Sequence, residues 1–191
     1  AGLFIVALLM GMVTVAGYFL AGPNEYMPVL LKNSGATIEN GMESETAKTQ
    51  LRVMTLNLSH GRGSGAFQLF VSEKQAHENL RAVATVIGRV SPDVVALQEV
   101  DESSLLSGQF NHIKRLLALT SLPYGVVGKH VDINGLEYGT GFVSALPLAG
   151  IHSRTFSLQP LTLTKGFVVA TISWPGSPST RVDVVSVHLD F

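Results

Sequence analysis

The sequence predicts an α+β protein, a sheet sandwich flanked by helices, on three observations. One β-α-β unit opens the globular stretch, a series of consecutive strand candidates follows it, and segments rich in Gly, Pro, Asn and Ser separate the strands.

The β-α-β unit runs from Leu51 to Glu99. Its first strand, ending at Asn57, alternates apolar and polar residues and is rich in β-branched side chains, while Asp93 to Glu99 (Asp-Val-Val-Ala-Leu-Gln-Glu) has the continuous apolar character of a buried strand. Between them Ala76, Leu80, Val83, Ala84, Ile87 and Val90 recur at helical spacing, leaving Glu78, Arg81 and Arg89 for water. A crossover of this kind makes the two strands parallel and right-handed, so Asn57 and Glu99 emerge on one rim. An amide oxygen beside a carboxylate suits a hard divalent cation and a phosphate.

Beyond Glu99, Phe110, Ile113, Leu116 and Leu117 predict a second helix over Gln109 to Leu119. Strands are then expected at Tyr124 to His130, Tyr138 to Leu148 with a break near Pro147, Ile151 to Leu158, Gly166 to Trp174 and Val182 to Leu189. Asp132-Ile-Asn-Gly135 reads as a turn, and the segment from Pro175 to Ser179 as a hairpin loop.

Two segments precede the globular part. Residues 1–22 carry no charge, and Leu3 to Ala21 is long enough to cross a bilayer as a helix, which predicts a single-pass membrane anchor; a cleaved signal peptide ending near Thr14-Val15-Ala16 is the competing reading. The 46% hydrophobic content and mean hydropathy of +0.33 owe much to this segment. Residues 23–49, with Pro23, Pro28, Gly35 and Gly41, read as a flexible linker, or around Tyr26 to Leu31 as a short interfacial segment. Thirteen basic and fourteen acidic residues give a net charge of −1, so no overall field draws the chain to nucleic acid. The absence of cysteine excludes disulfides, thiolate metal sites and a Cys nucleophile.

The loop from Ser59 to Gly65 (Ser-His-Gly-Arg-Gly-Ser-Gly) lies beside the proposed rim. It lacks the Gly-Lys-Ser/Thr ending of a nucleotide-binding P-loop. Arg62 and His60 are candidate phosphate contacts; a mobile loop with solvated side chains is the plainer alternative.

Four pieces occur in order: Thr55-Leu56-Asn57, Pro92 to Val100 with its Leu97-Gln98-Glu99-Val100 run, Gly139 to Ser144 with Pro147, and Val184 to Asp190 with His188. Together they resemble the endonuclease/exonuclease/phosphatase superfamily, the DNase I-like metal-dependent phosphoesterases, over residues 51–191. The resemblance implies a four-layered α/β sandwich that hydrolyses phosphate esters with Mg²⁺ or Mn²⁺. It implies that Glu99 and Asn57 hold the metal and that His188 is the catalytic histidine that contacts the phosphate or assists the leaving group. Asp190 is an additional candidate. Taken without the family pattern, Glu99 would be a solvated rim residue and His188 a hydrogen-bonded core histidine. Family members continue to a Gly-Asp-Phe-Asn and a Ser-Asp-His segment that this sequence does not contain, so it reads as the N-terminal part of such a domain, with hydrolysis expected of the parent protein rather than of this fragment. The expected function is that of a membrane-anchored phosphodiesterase acting on a lipid head group or a nucleic acid; the alternative is an inactive, tethered binding or scaffold domain of the same fold.

Overall fold

The structure, a computed structural model, describes residues 28–32, 50–63, 71–133, 135–157 and 163–189. In chain order the elements are β1 (Val29–Lys32), β2 (Val53–Asn57), a 3-10 turn (Ser59–Gly61), α1 (Glu73–Val90), β3 (Val94–Ser104), α2 (His112–Leu119), β4 (Tyr124–Ile133), β5 (Leu136–Ser144), β6 (Ala149–Thr155), β7 (Gly166–Trp174) and β8 (Ser177–His188). They form a five-stranded sheet in the order β1-β4-β5-β3-β2 and a three-stranded sheet in the order β6-β7-β8.

The β-α-β unit is present, with β2 and β3 parallel and Asn57 level with Gln98. Helix α1 starts where Ser72 Oγ accepts the Gln75 N–H at 3.2 Å, and ends at Ser91, whose left-handed backbone (φ 48°) turns the chain. Asn111 caps α2 in the same way, its side-chain oxygen accepting the Lys114 N–H at 2.8 Å. The apolar stripe of α1 buries Ala76, Leu80, Ala84 and Ile87.

Alternation along β3 sorts its side chains into two cores. Val95 and Leu97 join Leu80, Ile87, Ile113, Leu116 and Val143 under the helices. Val94 and Ala96 meet Val126, Phe142, Val168, Ala170 and Ile172 between the sheets. The described residues thus form three layers, helices on the five-stranded sheet on the three-stranded sheet; the fourth layer expected from the family resemblance is not among them.

Several boundaries differ from the sequence reading. Val29–Lys32, inside the stretch read as linker, is an edge strand antiparallel to β4, with Leu30 opposite Val126 and Leu31 opposite Gly125; its short apolar cluster finds an open sheet edge. Strand β3 continues past Glu99 to Ser104 because two irregularities let it stay paired with β5. Strand β8 begins at Ser177, which shortens the expected hairpin loop to Pro175 and Gly176. The segment read as a membrane anchor, residues 1–22, lies outside the described residues, as do most of residues 23–49. Among the described residues no helix is long and apolar enough to cross a membrane.

Candidate functional site

Three strands meet at one edge of the sandwich: β2 at its end, Asn57, β3 partway along its length at Gln98 and Glu99, and β8 at its end, His188. The pairing explains how Glu99 reaches this edge. Leu97 lies opposite Gly141 and Val100 opposite Gly139, so Gln98 and Glu99 together face the single residue Thr140. This is a β-bulge, and Glu99 has a left-handed φ of 50°, a conformation that a non-glycine residue adopts at a cost of about 1 kcal/mol or more.

The floor of the site joins the two sheets. Ser186 Oγ donates to the Leu97 carbonyl at 2.8 Å, and Gln98 Nε2 donates to Ser186 Oγ and Thr55 Oγ1, each at 3.3 Å. Hydrogen bonds between neutral groups here fix β8 against β3 and thereby set where His188 stands.

The structure brings Asn57, Glu99 and His188 together. Asn57 Nδ2 donates to Glu99 Oε1 at 3.2 Å while its Oδ1 accepts the Ser59 N–H at 2.7 Å. His188 Nε2 lies 3.6 Å from Glu99 Oε1. The side chains of Glu99 and His188 are each 18% exposed, open enough for a ligand and dry enough to strengthen charge interactions. His60, expected on a solvated loop, is instead buried: its Nδ1 is 2.6 Å from Asp101 Oδ1 and its Nε2 is 3.5 Å from Glu99 Oε2. Arg62 turns its Nε back onto the Ser59 carbonyl at 3.1 Å. Asp190 lies outside the described residues.

Sequence reasoning missed two charged neighbours. Asp101 is fully buried, bonded to His60 and to Ser107 Oγ, and its backbone N–H donates to His112 Nδ1. A second carboxylate two residues past Glu99, directly after Val100, was the available signal. Lys165, just before β7, places Nζ 3.3 Å and 3.4 Å from the two ring nitrogens of His188. An ammonium only donates, so the ring nitrogen it engages must accept. Nothing local in the sequence marks Lys165, whose position follows from the pairing of Gly166 with His188.

Behind the site, burial keeps two histidines neutral. His112 is pushed down to about 4 chiefly by desolvation, against the pull of Asp101. His130, bonded through Nε2 to Thr140 Oγ1 at 2.9 Å, is likewise lowered to about 4 by burial and then by the proximity of His188.

The donor set fits a hard divalent cation. Glu99 is anionic, and the ion pairs its carboxylate forms are with two imidazoles, while the Asn57 amide oxygen retains a lone pair beyond the one used by Ser59. Mg²⁺ is commonly held by one or two carboxylates and keeps several waters, so this small set is compatible with it.

Comparison with known proteins places the chain in a family. The chain matches the Endonuclease/Exonuclease/phosphatase family over residues 54–183. Among solved structures it is similar to an endonuclease/exonuclease/phosphatase from Beutenbergia cavernae (25% identity, TM-score 0.51), covering 73% of this chain and 38% of that one. It also resembles a family protein from Leptotrichia buccalis (16% identity, TM-score 0.49), covering 74% and 55%. The chain therefore spans about half or less of the length of these two proteins. No curated protein matches it. The match over the greater part of the sequence shows that the chain belongs to the Endonuclease/Exonuclease/phosphatase family, whose members hydrolyse phosphoester bonds.

Proposed function

We propose that this chain carries the metal-binding edge of a divalent-cation-dependent phosphodiesterase. The observation that carries the reading is the Glu99 carboxylate, turned out of the ladder by a bulge and gripped beside Asn57 and His188. Glu99 and Asn57 would hold Mg²⁺ or Mn²⁺. When bound, such an ion polarises a phosphoryl oxygen and stabilises the charge that develops on it. His188 would donate from Nε2 to a phosphate oxygen or to the leaving group, and the Lys165 ammonium supplies positive charge on the same side. With a net charge of −1 and residues 1–22 acting as a membrane anchor, a phosphodiester lipid head group is preferred to nucleic acid as substrate.

Hydrolysis of bis(4-nitrophenyl) phosphate by the protein, with Mn²⁺ added, tests this. Glu99→Gln should lower turnover at least about 100-fold, roughly 2.7 kcal/mol of transition-state stabilisation, at an unchanged thermal midpoint. Metal-dependent turnover that is equal in wild type and Glu99→Gln would overturn the assignment.

A second reading, a catalytically silent binding domain, is favoured by one observation. Among the described residues no group of three His, Cys, Asp or Glu side chains is placed to hold an ion. Inorganic phosphate binding by the folded protein, with no hydrolysis at any Mn²⁺ concentration, would select it.

A further inference from the structure

The turn after β2 is built at a conformational cost. Ser59 and His60 both have left-handed backbones, with φ of 49° and 54°, and neither is glycine. Two such residues in succession cost about 1–2 kcal/mol each. The surrounding bonds over-determine the turn: Leu58 N–H donates to the Gln98 carbonyl at 2.9 Å, Ser59 N–H to Asn57 Oδ1, and Asn79 Nδ2 to the Gly61 carbonyl at 2.7 Å.

The strain has a single geometric product, the placement of the His60 ring. The residue is 7% exposed, and the edge-on ring of Tyr138 lies 4.6 Å away, centroid to centroid, at 87°. Nδ1 is fixed on Asp101, whose other carboxylate oxygen takes the Ser107 hydroxyl. Asp101 is itself fully buried, so the ring is tied to the interior and not to the loop. The remaining nitrogen, Nε2, is directed at Glu99 Oε2. Asn57 holds the opposite oxygen, Oε1. Asn57 and His188 thus lie beside one oxygen of the Glu99 carboxylate and His60 beside the other, and a line of groups runs Ser107, Asp101, His60, Glu99.

We propose that His60 is a positioning residue for the cation site: fixed by Asp101, it sets the orientation of the Glu99 carboxylate, and it does not contact the phosphate. The proposal rests on the reading of Glu99 as a cation ligand. Outer partners that orient a ligating side chain typically contribute a factor of 10 to 100 in metal affinity. A histidine kept only for packing would leave affinity unchanged when replaced by an apolar group that fills the space, so a folded His60→Leu that binds Mn²⁺ as tightly as wild type would overturn the positioning role.

Titration of the purified chain with Mn²⁺ alone, followed by the electron paramagnetic resonance signal of the free ion, separates the possibilities without requiring turnover. His60→Ala should weaken Mn²⁺ binding about 10- to 100-fold. His60→Gln, which keeps a polar side chain of similar reach and is the variant better able to fold, should stay within about threefold of wild type. Glu99→Gln should abolish binding at this site. Loss of binding in Glu99→Gln with wild-type affinity in His60→Ala overturns the positioning role and leaves the metal reading intact. Folded His60→Gln as weak as His60→Ala also overturns it, since a polar group at that reach would then be irrelevant. Equal binding by wild type and Glu99→Gln overturns the metal reading and the inference with it.

Discussion

The two sheets bury their faces differently. In the five-stranded sheet, β3 and β5 are enclosed on both sides, by the helices and by the second sheet, and nearly every residue of β5 from Tyr138 to Ser144 is buried. In the three-stranded sheet, β7 alternates buried and half-buried positions, and β8 turns Val185 and Val187 outward at 52% and 40% exposure. The first sheet behaves as a parallel-type interior element and the second as a one-sided antiparallel layer. The candidate site lies where the two meet. Its ligand groups come from the rigid sheet, while His188 and Lys165 come from the half-covered one.

This contrast implies a ranking of effects. Phe142, fully buried between the sheets, should be the most sensitive position: Phe142→Ala is expected to cost about 4 kcal/mol, read as a lowered urea midpoint at constant slope. A loss below about 1 kcal/mol would mean that the inter-sheet core is loose and the contrast false.

The next effect is on acid stability, and it belongs to the first sheet and the helix packed on it. His112 and His130 have folded-state values near 4 against an ordinary 6.5, so between those pH values the unfolded chain binds more protons than the folded one. Stability is therefore full above about pH 6.5 and is lost as the pH falls toward 4, with about 2 kcal/mol from each histidine gone at pH 5. Chemical denaturation at pH 7.5 and pH 5 measures the slope. His112→Asn keeps an acceptor at the Nδ1 position and His130→Gln a polar atom at the Nε2 position; the double variant should flatten the dependence. An unchanged slope would place the acid sensitivity elsewhere.

The smallest effect is expected on the outer face of the second sheet. Val187→Thr should change stability by no more than about 0.5 kcal/mol. A loss above about 2 kcal/mol in the same denaturation assay would show that this face is covered in solution, which would break the comparison at its root.

What could be read from the sequence follows the same division. Periodicity found α1, α2 and the cores of β2 to β8, because each buries a stripe or face whose spacing is set locally. Asn57, Glu99 and His188 could be named because each stands in one of the short runs that carry the family resemblance. The partnership of His60 with Asp101 could not, since it depends on two left-handed residues that only favour glycine or asparagine when judged from sequence. Lys165 was hidden for a different reason: its neighbour is 23 residues away and reached only through the register of a hairpin. Strand β1 escaped because four residues carry almost no periodic signal and its partner β4 lies far along the chain.

The bulge in β3 changes the parity of the strand. Upstream, odd-numbered residues such as Val95 and Leu97 point to the helices; downstream, Val100 does. Counted by strict alternation, residue 99 would have pointed into the oily layer beneath α1 and α2, where an uncompensated carboxylate is not tolerated. One added residue thus lets a single strand obey two incompatible demands: an unbroken apolar phase on its covered side, and an anion delivered to its rim. The irregularity acts as a frame-shift in space, and the chemistry of the edge depends on that miscount being kept.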